Sequence, residues 1–319
     1  MVRFAKEGDL PFLKHAWQVC FDDPQAFIDW NFEKNFSYKD TLIAESDGVS
    51  ASNLQLMPHR IRLGRFAYDV NYVSGVATLP EFRYRGLVRE LFDFAFPVMR
   101  QRHQPISLLV PFNYAFYEKF GYKQCYEKVY RYAEHLPERT YLTAKDLSPA
   151  LIARLNGIYL GNMERRSGYA LRTQLDWQKI LEDLLLLSEG RIWLGEQGYA
   201  LITPREEGGW ELHEVCGNCD LPFTEETKPF AMARVIDPVR VLTDLAQEFD
   251  GCVRLKLTDD QIASNNLTLE ITHGRVRLCE DFDMELSVTD LAPLVFGFGE
   301  DWTHSGLFPK QNPYLNMIF

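Results

Sequence analysis

The segment between residues 70 and 122 constrains the fold of this chain more than any other. Residues 70–78 have the apolar, β-branched pattern of a strand, a basic turn ends in Gly86, and residues 86–99 have the apolar spacing of a helix. A second apolar strand is predicted at 106–110. A strand that enters a helix through a glycine turn leaves backbone N–H groups unpaired, and the helix dipole adds partial positive charge there. The segment therefore predicts an α/β unit that holds a pyrophosphate at a helix N-terminus.

The charge of the chain limits its partners. The 319 residues carry a formal net charge of −11, which argues against nucleic acid because phosphate backbones are bound by clustered basic surfaces. The same charge favours a cationic partner. The first residues lack the apolar region of a secretion signal, and no window has the ~18 uninterrupted apolar residues of a membrane span. We therefore expect a cytoplasmic protein with no membrane partner.

Six cysteines in a chain without a secretion signal are most simply reduced thiols. Three soft ligands, His213, Cys216 and Cys219, lie at the close spacing that a zinc site requires. A structural zinc site needs four ligands, and no second cysteine pair lies at finger-like spacing. The alternative to zinc is two thiols near a turn, and we predict no bound metal.

Three units follow one another along the chain. Residues 1–135 combine an amphipathic first helix with strands, and Asp47-Gly48 is typical of a hairpin turn. Residues 136–229 have amphipathic helices and alternating strands but no second basic glycine turn, so we expect no nucleotide there. Residues 230–319 have a helix, several strands, another helix and an apolar tail. Pro97 is expected to end or kink the helix after the glycine turn early.

The basic turn has a spacing, Arg83-x-x-Gly86-x-Val88, that resembles the R/Q-x-x-G-x-G/A loop of the GCN5-related N-acetyltransferases. In that family the loop cradles the pyrophosphate of coenzyme A. Val88 departs from the usual small residue, and a solvated arginine-rich turn is the alternative. The preceding strand offers an edge where backbone at Val76 and Thr78 can hydrogen-bond the pantetheine arm. The predicted cofactor contacts are Val76, Ala77, Thr78, Arg83, Tyr84, Arg85, Gly86, Leu87 and Val88.

A candidate general acid follows in the run Tyr117-Glu-Lys-Phe-Gly-Tyr122. A tyrosine with a reference pKa of ~10 is protonated at neutral pH, so it can donate to a thiolate whose thiol pKa is ~8.5 or a little above. We therefore predict Tyr117 as the acid. The alternative is a core tyrosine that packs a helix against the sheet, which fits Phe116, Phe120 and Tyr122 better.

Longer motifs narrow the resemblance. The chain also contains Ser167-Gly-Tyr-Ala-Leu-Arg-Thr-x-x-x-Trp177, Met232-x-Arg-Val-Ile-Asp237 and a terminal Phe319. Together these resemble the enhanced intracellular survival (Eis) acetyltransferases over essentially the whole chain, although this chain is short for the family in its middle unit. The resemblance implies a fold class of α/β and α+β: tandem acetyltransferase folds, the second degenerate and without a cofactor site, then a sterol-carrier-protein-like domain. It also implies a homo-oligomer, and family members are often hexamers.

The resemblance pairs the tyrosine acid with a base at the terminal carboxylate of Phe319. Such a carboxylate has a reference pKa of ~3.3 to 3.7 and is ionised at pH 7, and an apolar pocket around Met317 and Ile318 can raise that pKa. Its basicity is modest, so it accepts a proton through water or from an amine that is already partly neutral. An apolar plug is the alternative for Phe319.

The predicted acceptor site is an aromatic and acidic run that resembles the family's substrate wall. Its members are Phe21, Asp22, Phe27 and Trp30. Aromatic faces and carboxylates together suit a cationic amine. The same run also fits a helix start capped by an aspartate before Pro24 and followed by core aromatics.

The sequence thus predicts an N-acetyltransferase that uses acetyl-CoA. The amine of a cationic small molecule or of a lysine side chain attacks the thioester directly. One rival is an acyltransferase of longer acyl chains, since N-myristoyltransferases also join tandem domains of this fold to a terminal carboxylate base. Another is a non-catalytic module that binds acyl-CoA or lipid, against which Arg83, Gly86, Tyr117 and a free Phe319 count.

Overall fold

The computed structural model describes residues 1–299 and 306–316. Within these ranges no helix combines the length and the apolar character needed to cross a membrane. The chain forms two compact units. The first comprises residues 1–126 and 230–313, and the second comprises 127–229 together with the described end of the chain, 314–316.

Residues 1–126 carry six strands and four α-helices. The strands are β1 (Val2–Phe4), β2 (Thr41–Ser46), β3 (Val49–Leu63), β4 (Phe66–Thr78), β5 (Ile106–Leu109) and β6 (Lys123–Gln124). The helices are α1 (Leu10–Cys20), α2 (Gln25–Lys34), α3 (Leu87–Gln101) and α4 (Tyr114–Glu118).

Residues 127–229 carry six strands and two α-helices. The strands are β7 (Glu127–Ala133), β8 (Tyr169–Ala170), β9 (Arg191–Leu194), β10 (Gly198–Pro204), β11 (Trp210–Gly217) and β12 (Thr224–Pro229). The helices are α5 (Pro149–Met163) and α6 (Gln174–Glu182).

Residues 230–299 carry five strands and two α-helices. The strands are β13 (Met232–Val235), β14 (Cys252–Thr258), β15 (Leu267–Thr272), β16 (Arg275–Leu278) and β17 (Met284–Ser287). The helices are α7 (Pro238–Leu245) and α8 (Val288–Val295).

The main sheet of the first unit joins distant parts of the sequence. Its strand order is β1-β2-β3-β4-β5-β13-β6. Strand β13 lies between β5 and β6, where Met232 is opposite both Leu109 and Gln124. This pairing explains why residues after 230 belong to the same compact unit as the first 126. The domain boundaries predicted at 135/136 and 229/230 stay predictions.

Helix α3 covers one face of this sheet. Its buried side chains include Leu91, Phe92 and Met99, which pack in a core with Leu42 and Leu54 of the sheet. Such burial contributes about 1.5–3 kcal/mol per large apolar side chain.

The prediction that Pro97 ends α3 early is wrong, because the helix continues to Gln101, and the alternative of a kink stays a prediction. A proline inside a helix removes one backbone hydrogen bond and crowds the carbonyl four residues before it, at a cost of about 3 kcal/mol. The burial of Phe96 and Met99 on either side of Pro97 offsets that cost.

The hairpin predicted from Asp47-Gly48 is confirmed. These two residues join β2 to β3 and have φ angles of 55° and 80°. Both positive values are those of the tight two-residue turn that suits antiparallel strands.

Two further sheets complete the fold. In the second unit the strand order is β12-β7-β11-β10-β9, and the helices α5 and α6 contribute Tyr159 and Trp177 to its core. In the first unit, residues 252–287 form a separate sheet of order β16-β15-β14-β17, in which β14 and β17 are parallel.

Candidate active site

The turn between β4 and α3 has the geometry of an anion site. Tyr84 has a φ of 64°, and Gly86 has a φ of 81° at the N-cap of α3. The N–H groups of Arg89 and Glu90 both donate to the Gly86 carbonyl, at 2.9 and 3.2 Å. The preceding N–H groups, those of residues 86 to 88, have no acceptor within the described part of the chain. They are therefore free to donate to an anion at the positive end of the helix.

The space in front of this turn is open. A Cβ built on Gly86 meets no atom within 4 Å. Arg83, Tyr84 and Arg85 are exposed. Arg83 donates through Nε to the Thr78 carbonyl at 3.2 Å, and Arg85 pairs with Asp47 at 2.9 Å. The turn is thus tied to the end of β4 while its side chains stay accessible.

Strands β4 and β5 separate soon after they meet. Their parallel pairing comprises Asn71 with Ser107 and Tyr72 with Leu108. Beyond Tyr72, β4 continues to Thr78 with no β5 partner in the described ranges. Within the described residues the last part of β4 thus has an edge without a β5 partner, and this edge borders the opening between β4 and β5.

The backbone at the end of β4 is oriented by β3. Its carbonyls at Gly75 and Ala77 accept hydrogen bonds from the Asn53 amide at 2.6 Å and the Ser52 hydroxyl at 2.8 Å, and both donors are on β3. The register of β4 against β3 shifts between Ser74 and Ala77, which marks a β-bulge at Gly75 and Val76. The bulge interrupts the regular ladder in the part of β4 that has no β5 partner within the described residues.

Tyr117 is in α4, close to the point where β4 and β5 part. Asn113 caps this helix, since its side chain accepts a hydrogen bond from the Phe116 N–H at 3.1 Å. Burial raises the pKa of Tyr117, with smaller contributions from Tyr122 and Tyr72. The hydroxyl makes no hydrogen bond to another described residue. Tyr117 is therefore protonated at neutral pH and can donate to a ligand.

The exposed aromatic ring beside Tyr117 was not predicted from the sequence. Phe112 is 74% exposed, and its ring is 5.6 Å from that of Tyr117 and 5.1 Å from that of Phe116. The proline-phenylalanine pair after a buried strand is the sequence signal that marks it.

Two of the predicted acceptor residues, Phe21 and Phe27, pack against the same apolar cluster of the first unit, which includes Leu13 and Phe32. Phe21 ends α1, packs on Trp17 at 4.8 Å and belongs to a cluster with Ala77 at the end of β4. Phe27 packs on Trp30, with 5.9 Å between the ring centroids. Trp30 is buried, so its ring offers little surface to a ligand.

Asp22 is exposed and carries the charge expected of this site. Its neighbour Asp23 accepts a hydrogen bond from the Trp17 indole at 2.8 Å. The alternative interpretation of this run, a helix start capped by an aspartate, is correct in part. A helix does begin here, since α2 starts at Gln25, but its N-cap is Pro24 and no aspartate side chain caps it.

The predicted base, Phe319, lies outside the described residues, as do Met317 and Ile318. The residues before them are anchored in the second unit. Asn316 donates through Nδ2 to Glu214 at 2.8 Å and to the His213 carbonyl at 3.1 Å, while its own carbonyl accepts from Arg172 at 2.9 Å. The Tyr314 hydroxyl also donates to Glu214 at 3.2 Å.

The anchor is a buried ion pair. Arg172 donates to both carboxylate oxygens of Glu214, at 2.8 and 2.6 Å, and the Tyr199 hydroxyl also donates to this carboxylate. Burial acts to raise the pKa of Glu214, but the charge and hydrogen bonds of Arg172 overcome it and lower the pKa below its ordinary value. Glu214 is thus ionised at neutral pH.

The residues considered for zinc do not converge. The His213 ring is engaged by two other side chains, with Nε2 2.6 Å from the Thr203 hydroxyl and Nδ1 3.1 Å from the Glu211 carboxylate. Cys216 is in the core with α5 and α6, whereas Cys219 packs in a different cluster with Trp193. Within residues 1–299 and 306–316 no group of three or more potential ligands could hold a metal ion.

Comparison with known proteins was made at the level of sequence families and of structures. Residues 1–125 match the family model described as an acetyltransferase (GNAT) domain. No curated protein sequence matches the chain.

Several structures resemble the whole chain in fold. A GCN5-related N-acetyltransferase from Anabaena variabilis has a TM-score of 0.79 and 16% identity, over 100% of both chains. A probable N-acyltransferase from Enterococcus faecalis has a TM-score of 0.78 and 16% identity, over 100% of this chain and 99% of the other. Eis1 from Mycobacterium abscessus has a TM-score of 0.76 and 13% identity, over 100% of both chains.

Replacing Glu214 by Gln tests the anchor of the chain end. The pKa of Glu214 is lower in the folded protein than the value of ~4.3 in the unfolded chain. The ion pair therefore stabilises the fold fully above that unfolded pKa. This stabilisation is lost as the pH falls through the lower, folded pKa. We expect the variant to lose about 3 kcal/mol or more at pH 7, because Arg172 is left buried without its partner.

Urea denaturation at pH 7 and at pH 4 measures the effect. The control is Glu225→Gln, which alters the pair between the exposed Glu225 and the half-buried Arg131 in the same sheet. Equal midpoints for Glu214→Gln and the wild type at pH 7 would contradict the expected anchor.

Proposed function

We infer that this chain, an N-acetyltransferase by its GNAT domain in residues 1–125, transfers acetyl from acetyl-CoA to the amine of a cationic small molecule or a lysine side chain. The opening between β4 and β5 carries this inference. It extends from Thr78, which Arg83 contacts, to Tyr72, which is near Tyr117. An anion site and a protonated donor therefore lie at its two ends.

The residues around the opening fit coenzyme A. The free N–H groups at the start of α3, with Arg83 and Arg85, would hold the pyrophosphate. The exposed Tyr84 and the half-buried side chain of Val88 would flank it, whereas Leu87, whose side chain is in the core, would contribute its N–H. The backbone of Val76 and Thr78 would hydrogen-bond the pantetheine arm in the manner of an added strand, with Ala77 between them, whose carbonyl already accepts from Ser52.

The proposed transfer is a direct displacement. The amine nitrogen attacks the thioester carbonyl carbon, the C–N bond forms and the C–S bond breaks. The hydroxyl of Tyr117 donates a hydrogen bond to the departing sulfur and then its proton. A raised pKa makes this hydroxyl a weak acid, so proton transfer follows as negative charge develops on the sulfur.

The carboxylate of Phe319 is the proposed acceptor of the proton that the attacking nitrogen loses. The anchoring of Tyr314 and Asn316 supports this role, because a chain end that only frays would not be held by a buried ion pair.

A cationic acceptor amine is supported by charge and by aromatic surface. The net charge of −11 favours cations, and Asp22 offers a carboxylate close in sequence to Phe21 and Phe27. A panel of amines assayed by thiol release tests the function itself. We expect turnover with cationic amines, whereas acetyl-CoA binding without turnover on any amine would contradict it.

The finer architecture is part of the proposal. We assign 1–135 to the cofactor-binding acetyltransferase domain, 136–229 to a degenerate second one, and 230–319 to a sterol-carrier-protein-like domain. The two-layer arrangement of a sheet with α5 and α6 supports the second assignment, and the sheet of 252–287 with α7 and α8 supports the third. We also propose that the chain forms a homo-oligomer, expected to be a hexamer, in the cytoplasm.

Two rivals are separated by ligand binding. An acyltransferase of longer chains would turn over longer acyl-CoAs faster than acetyl-CoA. A non-catalytic lipid-binding module would be stabilised by fatty acids in a thermal-shift screen and would release no thiol. The exposed, unbonded start of α3 favours coenzyme A over a fatty acid as the ligand, and thiol release separates the enzyme from a non-catalytic module that binds acyl-CoA.

Replacing Gly86 by Glu should block acetyl-CoA binding. The position needs a positive φ, and a carboxylate there would meet the pyrophosphate. Calorimetric titration with acetyl-CoA measures the loss. Gly274→Glu is the control, because Gly274 also has a positive φ and open space around it. Unchanged affinity in a folded Gly86→Glu protein would refute the anion site.

Replacing Tyr117 by Phe should lower kcat by ~10²- to 10⁴-fold with little change in acetyl-CoA affinity, because general acid catalysis supplies that factor. Since burial raises the pKa of Tyr117, its deprotonation should not lower wild-type kcat below pH ~10. Steady-state kinetics across pH provide the test, and a loss below tenfold would leave Tyr117 a packing residue.

Adding one or two glycines after Phe319 should lower activity by at least ~10²-fold, because each residue moves the carboxylate by up to ~3.5 Å and catalytic groups need placement within about an angstrom. The same glycines added before Met1 are the control. Thermal stability should stay nearly unchanged in both. Full activity of the C-terminally extended enzyme would remove Phe319 from the mechanism.

A further inference from the structure

The chain segment that returns from the second unit holds both ends of α4. The Tyr114 hydroxyl at the start of this helix donates to the Phe230 carbonyl at 3.0 Å. Beyond its end, the Phe120 carbonyl accepts from Arg234 Nη1 at 2.8 Å. Tyr117 lies between these two contacts, and its own carbonyl accepts from the Phe120 N–H at 3.0 Å. The position of Tyr117 is thus tied to residues 230–234.

Arg234 is a buried cation in an otherwise apolar strand. It is 1% exposed, and its Nη2 donates to both oxygens of Asp259, at 2.7 and 2.8 Å. Its guanidinium also lies over the Phe96 ring, 4.4 Å from the centroid. A buried charge is tolerated only when it is paired and hydrogen-bonded, so the orientation of this planar group is fixed.

Asp259 is fixed as firmly as its partner. Besides Arg234, its carboxylate accepts from the N–H groups of Gln261 and Ile262, at 2.9 and 3.1 Å, and from the Asn265 amide at 2.9 Å. These four partners belong to the first unit. The pair therefore gives Arg234 a rigid base from which Nη1 reaches the Phe120 carbonyl.

The turn after Tyr117 is shaped around the same guanidinium. Gly121 has a φ of 78°, and a Cβ at this position would overlap Arg234 Nη1. A glycine is therefore required here both by the backbone and by the space that Arg234 occupies.

We propose that Arg234, oriented by Asp259, is a positioning residue that sets the Tyr117 hydroxyl at the opening between β4 and β5. The inference rests on the proposed role of Tyr117 as general acid. Arg234 acts through the Phe120 carbonyl and touches no substrate. Because a displacement of about an angstrom can cost ~10²-fold in rate, loosening this contact reduces kcat without removing a reacting group.

A double-mutant cycle between Arg234→Lys and Tyr117→Phe tests the proposal. Lysine keeps a positive charge for Asp259, but a single ammonium does not reproduce the fork that also reaches Phe120. In the otherwise wild-type protein we expect kcat to fall by ~10- to 10²-fold with the acetyl-CoA Kd changed by less than about twofold. In the Tyr117→Phe background the further loss should be below about twofold, since the hydroxyl is already absent.

The same fold-loss in both backgrounds would overturn the proposal, because Arg234 would then support the fold and not Tyr117. A Tyr117→Phe protein with nearly full activity would instead overturn the proposed function. Arg254→Lys, in the exposed pair with Asp283, is the matched control and should leave kcat within about twofold.

A second double-mutant cycle combines Tyr114→Phe with Tyr117→Phe and leaves the buried ion pair intact. It tests whether residues 230–234 position Tyr117 even if the Arg234→Lys protein does not fold. Loss of its hydroxyl frees the other end of α4 from Phe230. We expect a kcat loss of roughly tenfold that vanishes in the Tyr117→Phe background. Unchanged kcat for Tyr114→Phe, or an equal loss in both backgrounds, would contradict positioning by residues 230–234.

Discussion

The parallel pairing of β4 with β5 covers two residue pairs, and the chemistry of the first unit depends on where it stops. Strand β5 remains part of the sheet because β13 pairs with it on its other side. Strand β4 diverges from β5 after Tyr72. Gly75 lies at the β-bulge between β4 and β3, where its φ is 56° and a Cβ would be 2.9 Å from the Trp17 ring of α1. Unpaired backbone groups in a protein interior are costly, so an opening of this kind is stable when it faces solvent or a polar ligand. The extended amide-containing arm of coenzyme A is a ligand of that kind.

Each unit also contains a buried arginine–carboxylate pair that holds segments far apart in sequence. Arg234 and Asp259 join β13 to the loop after β14 and to the turn that follows Tyr117. Arg172 and Glu214 join the segment before α6 to β11 and to the end of the chain. Removing charges from water costs several kcal/mol per ion, so such pairs are poor sources of stability compared with apolar packing. Their value is geometric, since a bidentate guanidinium accepts one arrangement of its partners and excludes others.

Local sequence predicted the parts of the site that are formed by contiguous residues. The glycine turn at the start of α3 and the hairpin at Asp47-Gly48 follow from short-range rules of turn chemistry. Tyr117 was assigned from the motif of residues 117–122, and its role stays a prediction. The role of Pro97 could not be predicted, because the packing of α3 outweighs its local effect. Sequence periodicity also missed β13, since its four buried residues do not alternate and its partners are distant in the chain. The contacts of Arg234 could not be predicted for the same reason, because Arg234 lies on that strand.

Hydrogen–deuterium exchange with and without acetyl-CoA tests the central claim, that one backbone opening with the adjoining helix start binds the cofactor. The account predicts slower exchange in peptides that cover residues 74–78 and 86–88, because their free N–H groups would become donors to the ligand. Peptides from β14 to β16 should exchange at the same rate in both states. Unchanged exchange at 74–78 and 86–88 under saturating acetyl-CoA, with protection confined to other segments, would contradict the account.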